Sequence, residues 1–571
     1  MKKVNLTVLL MLWMFSSGAQ NVAWTTELEN SRPNIFGIDE FNGVRSMAYS
    51  PSNSDLYVLG TKYFQLPAIP SGYGHGKEIA VYCYDPTSGN VISSVILSHH
   101  SNDTLEFYDD ASALLVGNDG SIYVTGKYFY NTQQGYDMIV VKFDAALNEL
   151  WRHYFRGVPG SEECGYALAL DNNGNLIVLG RMDDRGAAKG ADFLISKFNP
   201  SSGTPVWTKF RNTLGVQSDQ PADVVCDNEG NIYFCGTSSL AAARNRFVTV
   251  KLDSMGIFQW IRKYNPVAYY AVDEGARSIA IDTINARVYV TGTSYFSTTG
   301  TDITTISYDL NGDRQWVKSI DGSSASIDQG CKVVVGPGGN IFTGGKIDFL
   351  SGSTYKSRLI FREYDVNGNT LMTRRYGSTA FNSYFGDMVV SSTGDVFITG
   401  TSRVAGGDVS LLTIKYNSSG ALKWDDFLSP PGGASEGYVG AKIAINEFTS
   451  DLAVGGRYFL DMPGVNVEKW VTRAYSSAFR MNDDSNSAVG IGDLELKAFP
   501  VPANNEVQLI FNPQDELSKT IHLYDMEGRC IATFSSNESE VHLDLTNVKP
   551  GVYIVEAITA SKAGRIRIIK N

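Results

Sequence analysis

Six carboxylates recur at one place in a repeating chain: Asp109, Glu163, Asp219, Glu274, Asp328 and Glu436 each stand just ahead of a short apolar segment. Aromatic pairs recur at a second place, as Tyr63-Phe64, Tyr128-Phe129, Tyr295-Phe296 and Tyr458-Phe459. Clustered carboxylates suit cations and sugar hydroxyls, and aromatic rings give broad apolar platforms with few polar groups around them. The same residue types have a plainer use. A carboxylate caps loop N–H groups, and an aromatic ring fills the space between sheets. Repetition favours the plainer use, because a feature present in most copies serves what the copies share.

Other reactive patterns carry less. The six histidines are His75, His99, His100, His153, His522 and His542, and none falls at a repeated place. His99 and His100 are adjacent, which on a strand puts their rings on opposite faces and spoils them as ligands of one metal. Gly433-Ala-Ser435-Glu-Gly437 has the GxSxG form. It precedes a strand and no helix follows, so the nucleophile-elbow context is missing. Asp309-Leu-Asn-Gly-Asp313 and Asp365-Val-Asn-Gly-Asn369 lack the glycine at position six and the distal glutamate of a calcium loop. They read as hairpin turns. The sequence therefore assigns no catalytic residue, no metal site and no cofactor.

The element that carries the acids and aromatics is a strand phrase ending in glycine. It occurs eight times, with the glycine at 60, 126, 180, 236, 292, 345, 400 and 456. A period of this length marks a stacked or circular array of one supersecondary unit. In residues 163–212 the unit reads as four short strands: Tyr166–Leu170, Asn175–Gly180, Asp192–Phe198 and Val206–Phe210. Asn and Gly fill the intervening turns, as in a propeller blade. The fourth strand repeats a tryptophan, at Trp151, Trp207, Trp260, Trp316 and Trp424, with Met372 in the sixth unit and a degenerate slot near Val91–Leu97. Such a residue is expected to wedge between neighbouring sheets.

The last unit ends its third strand at Tyr475 and has no fourth of its own. Asn21–Leu28, with Trp24, reads as the missing strand and would close the ring. Antiparallel connectivity then places the loop before strand one and the loop after strand two on the same face. The acids and the aromatics would share that face.

Composition sets outer bounds. The chain has 571 residues, 43% hydrophobic and 19% charged, which is ordinary for globular domains. A net charge of −12 argues against nucleic-acid and anionic-membrane partners. Lys2 and Lys3, the apolar run Val8–Phe15 and Ser17-Gly18-Ala19 read as a signal peptide over 1–19. No later stretch is long and apolar enough for a transmembrane segment. The six cysteines lie at unlike places in their repeats and read mostly as buried small hydrophobes, with one or two disulfides left open.

The units resemble the SBBP-type beta-propeller repeat family, on Asp227-Asn-Glu-Gly-Asn-Ile-Tyr-Phe-Cys-Gly236 and its copies over roughly residues 40 to 475. That family's label implies seven blades, whereas the phrase counts eight; both numbers stay open here. Residues 477–494 are polar and small, as in a linker, and 495–571 alternate as a small antiparallel sandwich. Within 495–571, Phe499-Pro500-Val-Pro502-Ala503, His522–Arg529 and Leu545–Ile554 follow one another in order, and the chain closes on Ile568-Ile-Lys570. These segments resemble the type IX secretion C-terminal sorting domain, although Val501 stands where that family usually has Asn. The resemblance implies that Pro500, Pro502, Tyr524, Gly528, Gly551, Tyr553 and Lys570 belong to the sorting motif. It also implies the type IX secretion machinery as partner, export through the periplasm of a Bacteroidota-type bacterium, and release or attachment at the cell surface after cleavage in the linker.

The expected fold is all-β: an eight-bladed (alternatively seven-bladed) propeller over 20–476, followed by the sandwich. The expected function is a monomeric, secreted or surface-attached, non-catalytic module for a glycan, peptide or matrix partner. The alternative is a glycan lyase or hydrolase working with carboxylates of the acidic face.

Overall fold

The computed structural model describes residues 22–30, 43–65, 75–97, 108–131, 135–183, 190–211, 218–240, 244–266, 275–323, 326–352, 354–378, 381–404, 409–430, 436–462 and 465–476 of the repeat region. Of the remainder it describes 492–493, 496–499, 506–511, 518–524, 530–538, 540–546, 548–549, 551–559 and 562–570. The expected signal peptide and nearly all of the linker lie outside these residues. Two compact units separate at 478/479.

The described repeat residues form eight units of four antiparallel strands, here units 1 to 8; a short parallel pairing adds a fifth strand to units 2 and 5, and another joins units 7 and 8 into one sheet. Unit 2 has strands Asp110–Val116, Ile122–Asn131, Gly135–Phe143 and Glu149–Phe155. Unit 5 has Gly275–Asp282, Arg287–Phe296, Gly300–Asp309 and Arg314–Ile320. Unit 8 takes three strands from Glu436–Ile445, Leu452–Met462 and Val465–Tyr475. Its fourth is Val22–Asn30, antiparallel to the third, with Trp24 opposite Ala474. Each unit's first strand lies beside the first strand of the next, and that of unit 8 lies beside that of unit 1.

Neighbouring sheets cover the middle strands on both faces, so these strands read as continuous apolar runs. In unit 3 the third strand, Asp192–Phe198, is buried at every residue. The tryptophans bind unit to unit. Trp24, Trp151, Trp260 and Trp316 donate Nε1–H to a carbonyl in the next unit's last turn, at Pro86, Pro200, Leu310 and Val366, over 2.9 to 3.0 Å. Their rings lie against the glycine of that turn, where a Cβ at Gly89, Gly203, Gly312 or Gly368 would overlap the indole. Met372 meets Gly420 in the same way. Trp24 of unit 8 thus grips Gly89 of unit 1 by the contact used between consecutive units.

The repeated glycine has a different cause. In all eight units the first strand skips one residue against the second, at Arg45, Ser112, Tyr166, Ala222, Arg277, Cys331, Gly386 and Ala441. The kink of this β-bulge drives a first-strand carbonyl onto the glycine at the end of the phrase. At Gly126 it is the oxygen of Asp110, and at Gly292 that of Gly275. Any side chain would collide with backbone there, so only glycine fits.

The C-terminal unit holds a five-stranded and a three-stranded sheet. Its core gathers Val507, Leu509, Phe511, Ile521, Leu523, Leu543, Leu545, Tyr553, Val555 and Ala557. Its strands are Leu496–Phe499, Glu506–Phe511, Lys519–Tyr524, Cys530–Ser536, Glu540–Asp544, Gly551–Ile558 and Lys562–Lys570, with the short Gly492–Asp493 at the edge.

Candidate functional site

The recurrent acids begin each unit as a clasp. The backbone N–H groups of Asp109, Glu163, Asp219 and Asp328 donate to the carbonyls of Lys77, Tyr136, Ala191 and Thr301, which lie on the third strand of the preceding unit or, for Ala191, just before it, over 2.8 to 3.1 Å. Three of the carboxylates reach the end of their own unit's second strand or the residue just after it. Asp109 Oδ1 accepts from Phe129 N–H (2.6 Å), Glu163 Oε1 from Asp183 N–H (3.3 Å) and Asp328 Oδ1 from Asp348 N–H (2.7 Å). The interval is 20 residues each time. All four acids are buried. Burial holds Asp109 well above the usual carboxylate range and raises Glu163 as well. Of Glu436 only the backbone is described, at the head of unit 8, and Glu274 lies outside the described residues.

The aromatic pairs fall into two registers. Tyr128 stands opposite Asp137, and Tyr458 opposite Lys469. Tyr63 and Tyr295 stand one residue further along, opposite Lys77 and Thr301. One residue of slip turns a strand side chain to the other face, so the four tyrosines do not make one row. Tyr128 is fully buried beside Tyr154, with ring centroids 5.6 Å apart. Tyr458 is half-buried against Tyr438 at 5.0 Å, and Tyr295 is half-buried. Among the described residues the exposed tyrosines are Tyr355 and Tyr384, which do not recur from unit to unit and gave no periodic signal.

Units differ at the bulge. The residues just after it are Ser46, Ala113, Ala167, Asp223, Ser278, Lys332, Asp387 and Lys442. Lys442 approaches Asp387 at 3.9 Å, and Asp223 accepts from Ser278 Oγ at 3.2 Å. Asp387, followed by burial and Asp223, sets the balance at Lys332, whose ammonium is held above its ordinary range. These residues share a level on the first strands only because of the bulge, and the sequence alone does not disclose it.

The remaining cluster lies where units 5 and 6 meet. Asp302, Asp321 and Asp328 bring one carboxylate oxygen each within 4.8 Å of the others. Asp302 and Asp328 are buried and Asp321 is exposed. Burial, with Asp321 and Asp328 adding repulsion against a hydrogen bond from Thr299, pushes Asp302 up to about 7. Burial pushes Asp328 up to about 6 in spite of the N–H groups it accepts. Cys83, Cys164, Cys226, Cys235 and Cys331 are free thiols, and of Cys530 only the backbone is described. The two loops with calcium-like spelling are turns: Asp309 Oδ1 accepts from the N–H of Asn311 and Asp313, and Asp365 Oδ1 from those of Asn367 and Asn369.

In the C-terminal unit Tyr553 is buried and donates its hydroxyl to the Lys549 carbonyl at 2.7 Å. Gly551 pairs with Lys570 across the last two strands, and Tyr524 pairs with Ile554. Pro500, Pro502 and Gly528 lie outside the described residues.

Residues 497–571 match the family model of the secretion system C-terminal sorting domain. The chain thus carries the address of type IX secretion, and its destination is the cell surface or the exterior. No curated protein matches the chain. Among solved structures, the WD40 domain of SCAP from fission yeast is similar at 10% identity and a TM-score of 0.40, over 76% of this chain and 96% of that one. The beta-propeller domain of the Trilobed protease from Pyrococcus furiosus is similar at 7% identity and a TM-score of 0.36, over 63% and 93%. The propeller architecture rests on the strand pairing described above. No helix among the described residues is long and apolar enough to cross a membrane.

Proposed function

We propose that this is an exported, non-catalytic propeller of the SBBP-repeat kind. It acts as a monomer that presents the face of its clasp loops to a glycan, peptide or matrix partner. Its N-terminal signal takes it to the periplasm of a Bacteroidota-type cell. The type IX machinery then reads residues 495–571 and carries the propeller across the outer membrane. The observation that carries the non-catalytic reading is the clasp: Asp109, Glu163 and Asp328 are engaged by backbone N–H groups. Recurrent acids held in this way serve the scaffold, and recognition falls to residues that differ between units, such as Tyr355 and Tyr384.

One observation favours the runner-up, a glycan lyase or hydrolase. Asp302 and Asp328 lie close together with near-neutral pKa values, as a general acid and base would require. A glycan array combined with hydrolysis and lyase assays on the full chain separates the two. Binding without turnover is the expected result. Turnover that disappears in Asp302→Asn and Asp328→Asn would replace the binding reading with the enzymatic one.

A further inference from the structure

Units 2 and 5 place three residues alike. In unit 2, Asp137 precedes the Met138–Phe155 pair and Arg156 follows it; in unit 5, Asp302 precedes the Ile303–Ile320 pair and Asp321 follows it. The clasp residues Glu163 and Asp328 then return alongside the third strand by the same short parallel pairing. The arrangement in unit 2 is carboxylate, guanidinium, carboxylate. Arg156 Nε reaches Asp137 Oδ2 at 3.1 Å, and its guanidinium also lies over the Tyr130 ring at 3.9 Å. In unit 7 the first two places are Ser410 and Ser429, which hydrogen-bond at 2.7 Å. Unit 5 has carboxylates in all three.

Two buried oxygens mark the same spot. Asp302 is 4% exposed, and its Oδ1 has no hydrogen-bond partner, Oδ2 alone being engaged by the Thr299 hydroxyl at 3.0 Å. Ser294, 1% exposed, stands directly opposite Asp302 on the neighbouring strand, and its Oγ also has no partner. Cross-strand neighbours share a face, so both oxygens look into one space. The residue at that place in unit 2 is Tyr128, buried and packed against Tyr154. Unit 5 has a serine there instead, and two buried oxygens without hydrogen-bond partners. Buried acceptors without partners are costly, and a cation satisfies them together.

We propose that Asp302, Asp321 and Asp328, with the Ser294 hydroxyl, bind one divalent cation of the calcium class, which does in unit 5 what the Arg156 guanidinium does in unit 2. The donors are all hard oxygens, which excludes the thiolate- and imidazole-seeking metals and suits Ca2+. The cation would fasten the fourth strand and following loop of unit 5 to the clasp of unit 6. This site does not depend on what partner the propeller face takes.

The test uses the full chain and Ca2+ alone, followed by titration calorimetry and by thermal melts in Ca2+ and in EDTA. One Ca2+ per chain is expected, with a Kd on the order of 0.1–1 mM as in extracellular modules, and a higher melting temperature in Ca2+ than in EDTA. Asp321 is exposed, so its variants keep the buried surroundings. Asp321→Asn should weaken binding about tenfold or more, since loss even of a group that only supports a ligand costs about that much. Asp321→Arg should abolish it, and should melt in EDTA no lower than the wild type does in EDTA. The proposal is overturned if the wild type binds no Ca2+ at ~10 mM, well above that affinity range. It is equally overturned if Asp321→Asn and Asp321→Arg bind Ca2+ as the wild type does.

Discussion

Units 2 and 5 are built on one plan and solve one electrostatic problem differently. Both have the bulged first strand, the glycine beneath it, the wedge tryptophan and the acid clasp of the following unit. In unit 2, Arg156 answers Asp137 and the buried Tyr128 stands opposite it. In unit 5 neither replacement is present, and a third carboxylate stands where the arginine would be. The difference teaches that repetition specifies the frame, while specific chemistry sits where a single unit departs from it.

The largest effects should fall on what the two units share. Gly126→Val and Gly292→Val each press a branched side chain onto a backbone carbonyl that has nowhere to go. Each should cost about 3 kcal/mol or more, read from denaturation midpoints. A large cost in one unit and none in the other would break the claim of a common frame.

Next comes the residue that only unit 2 has. Arg156→Ala leaves the buried Asp137 carboxylate without its cation. Because the arginine is itself partly exposed, the cost should be about 1–2 kcal/mol rather than the full price of a buried pair. Burial already raises Asp137, and Arg156 opposes that rise. Losing Arg156 raises the folded-state pKa further above the unfolded value of about 3.9. A carboxyl raised in the folded state favours folding when protonated, and that contribution is lost as pH climbs through the folded pKa. The gap between wild type and Arg156→Ala should therefore widen from pH 4 to pH 8. A gap that narrows would refute the pairing.

The clasp offers a subtler contrast. Asp109→Ala strips the acceptor from Phe129 N–H and should cost about 1–2 kcal/mol. Asp109→Asn keeps an acceptor and removes a buried charge, so it should stay within ~0.5 kcal/mol of wild type near neutral pH. Equal losses in both variants would mean that the charge itself is needed, as a ligand or catalytic group would require. Smallest of all, Asp321→Arg should add about 0.5–1 kcal/mol in EDTA by giving unit 5 the ion pair of unit 2. A loss of stability there would sharpen the comparison in the other direction, by showing that the two units differ in shape as well as in charge.

Much of this architecture was legible. The period of the glycine phrase, the Asn-Gly turns and the tryptophan slots gave the four-stranded unit, and the orphan strand around Trp24 gave the closure that pairs it with Tyr475. Ordered motifs over residues 495–571 gave the sorting domain. The candidate acids were found by their recurrence, which favoured the capping of loop N–H groups, but their burial and the partner 20 residues on were not legible, since a hydrogen bond to a backbone N–H leaves no mark on the residue that donates it. Asp302 and Asp321 went unnoticed because they do not repeat. Only the pairing of Ile303 with Ile320 brings them together. The aromatic pairs misled for a related reason: Tyr128 and Tyr295 follow their glycines at distances that differ by one residue, and a strand converts that difference into opposite faces.

By itself the sequence determined the repeating unit, its number of strands, the way its ends meet and the sorting domain, because periodicity and short ordered motifs are local and survive being read one residue at a time. Only the tertiary structure decided what the acids do. A carboxylate that clasps a backbone and one that faces two others are the same residue in a sequence. They differ in burial and in the charge of neighbours that lie 19 and 26 residues away, as Asp321 and Asp328 do from Asp302.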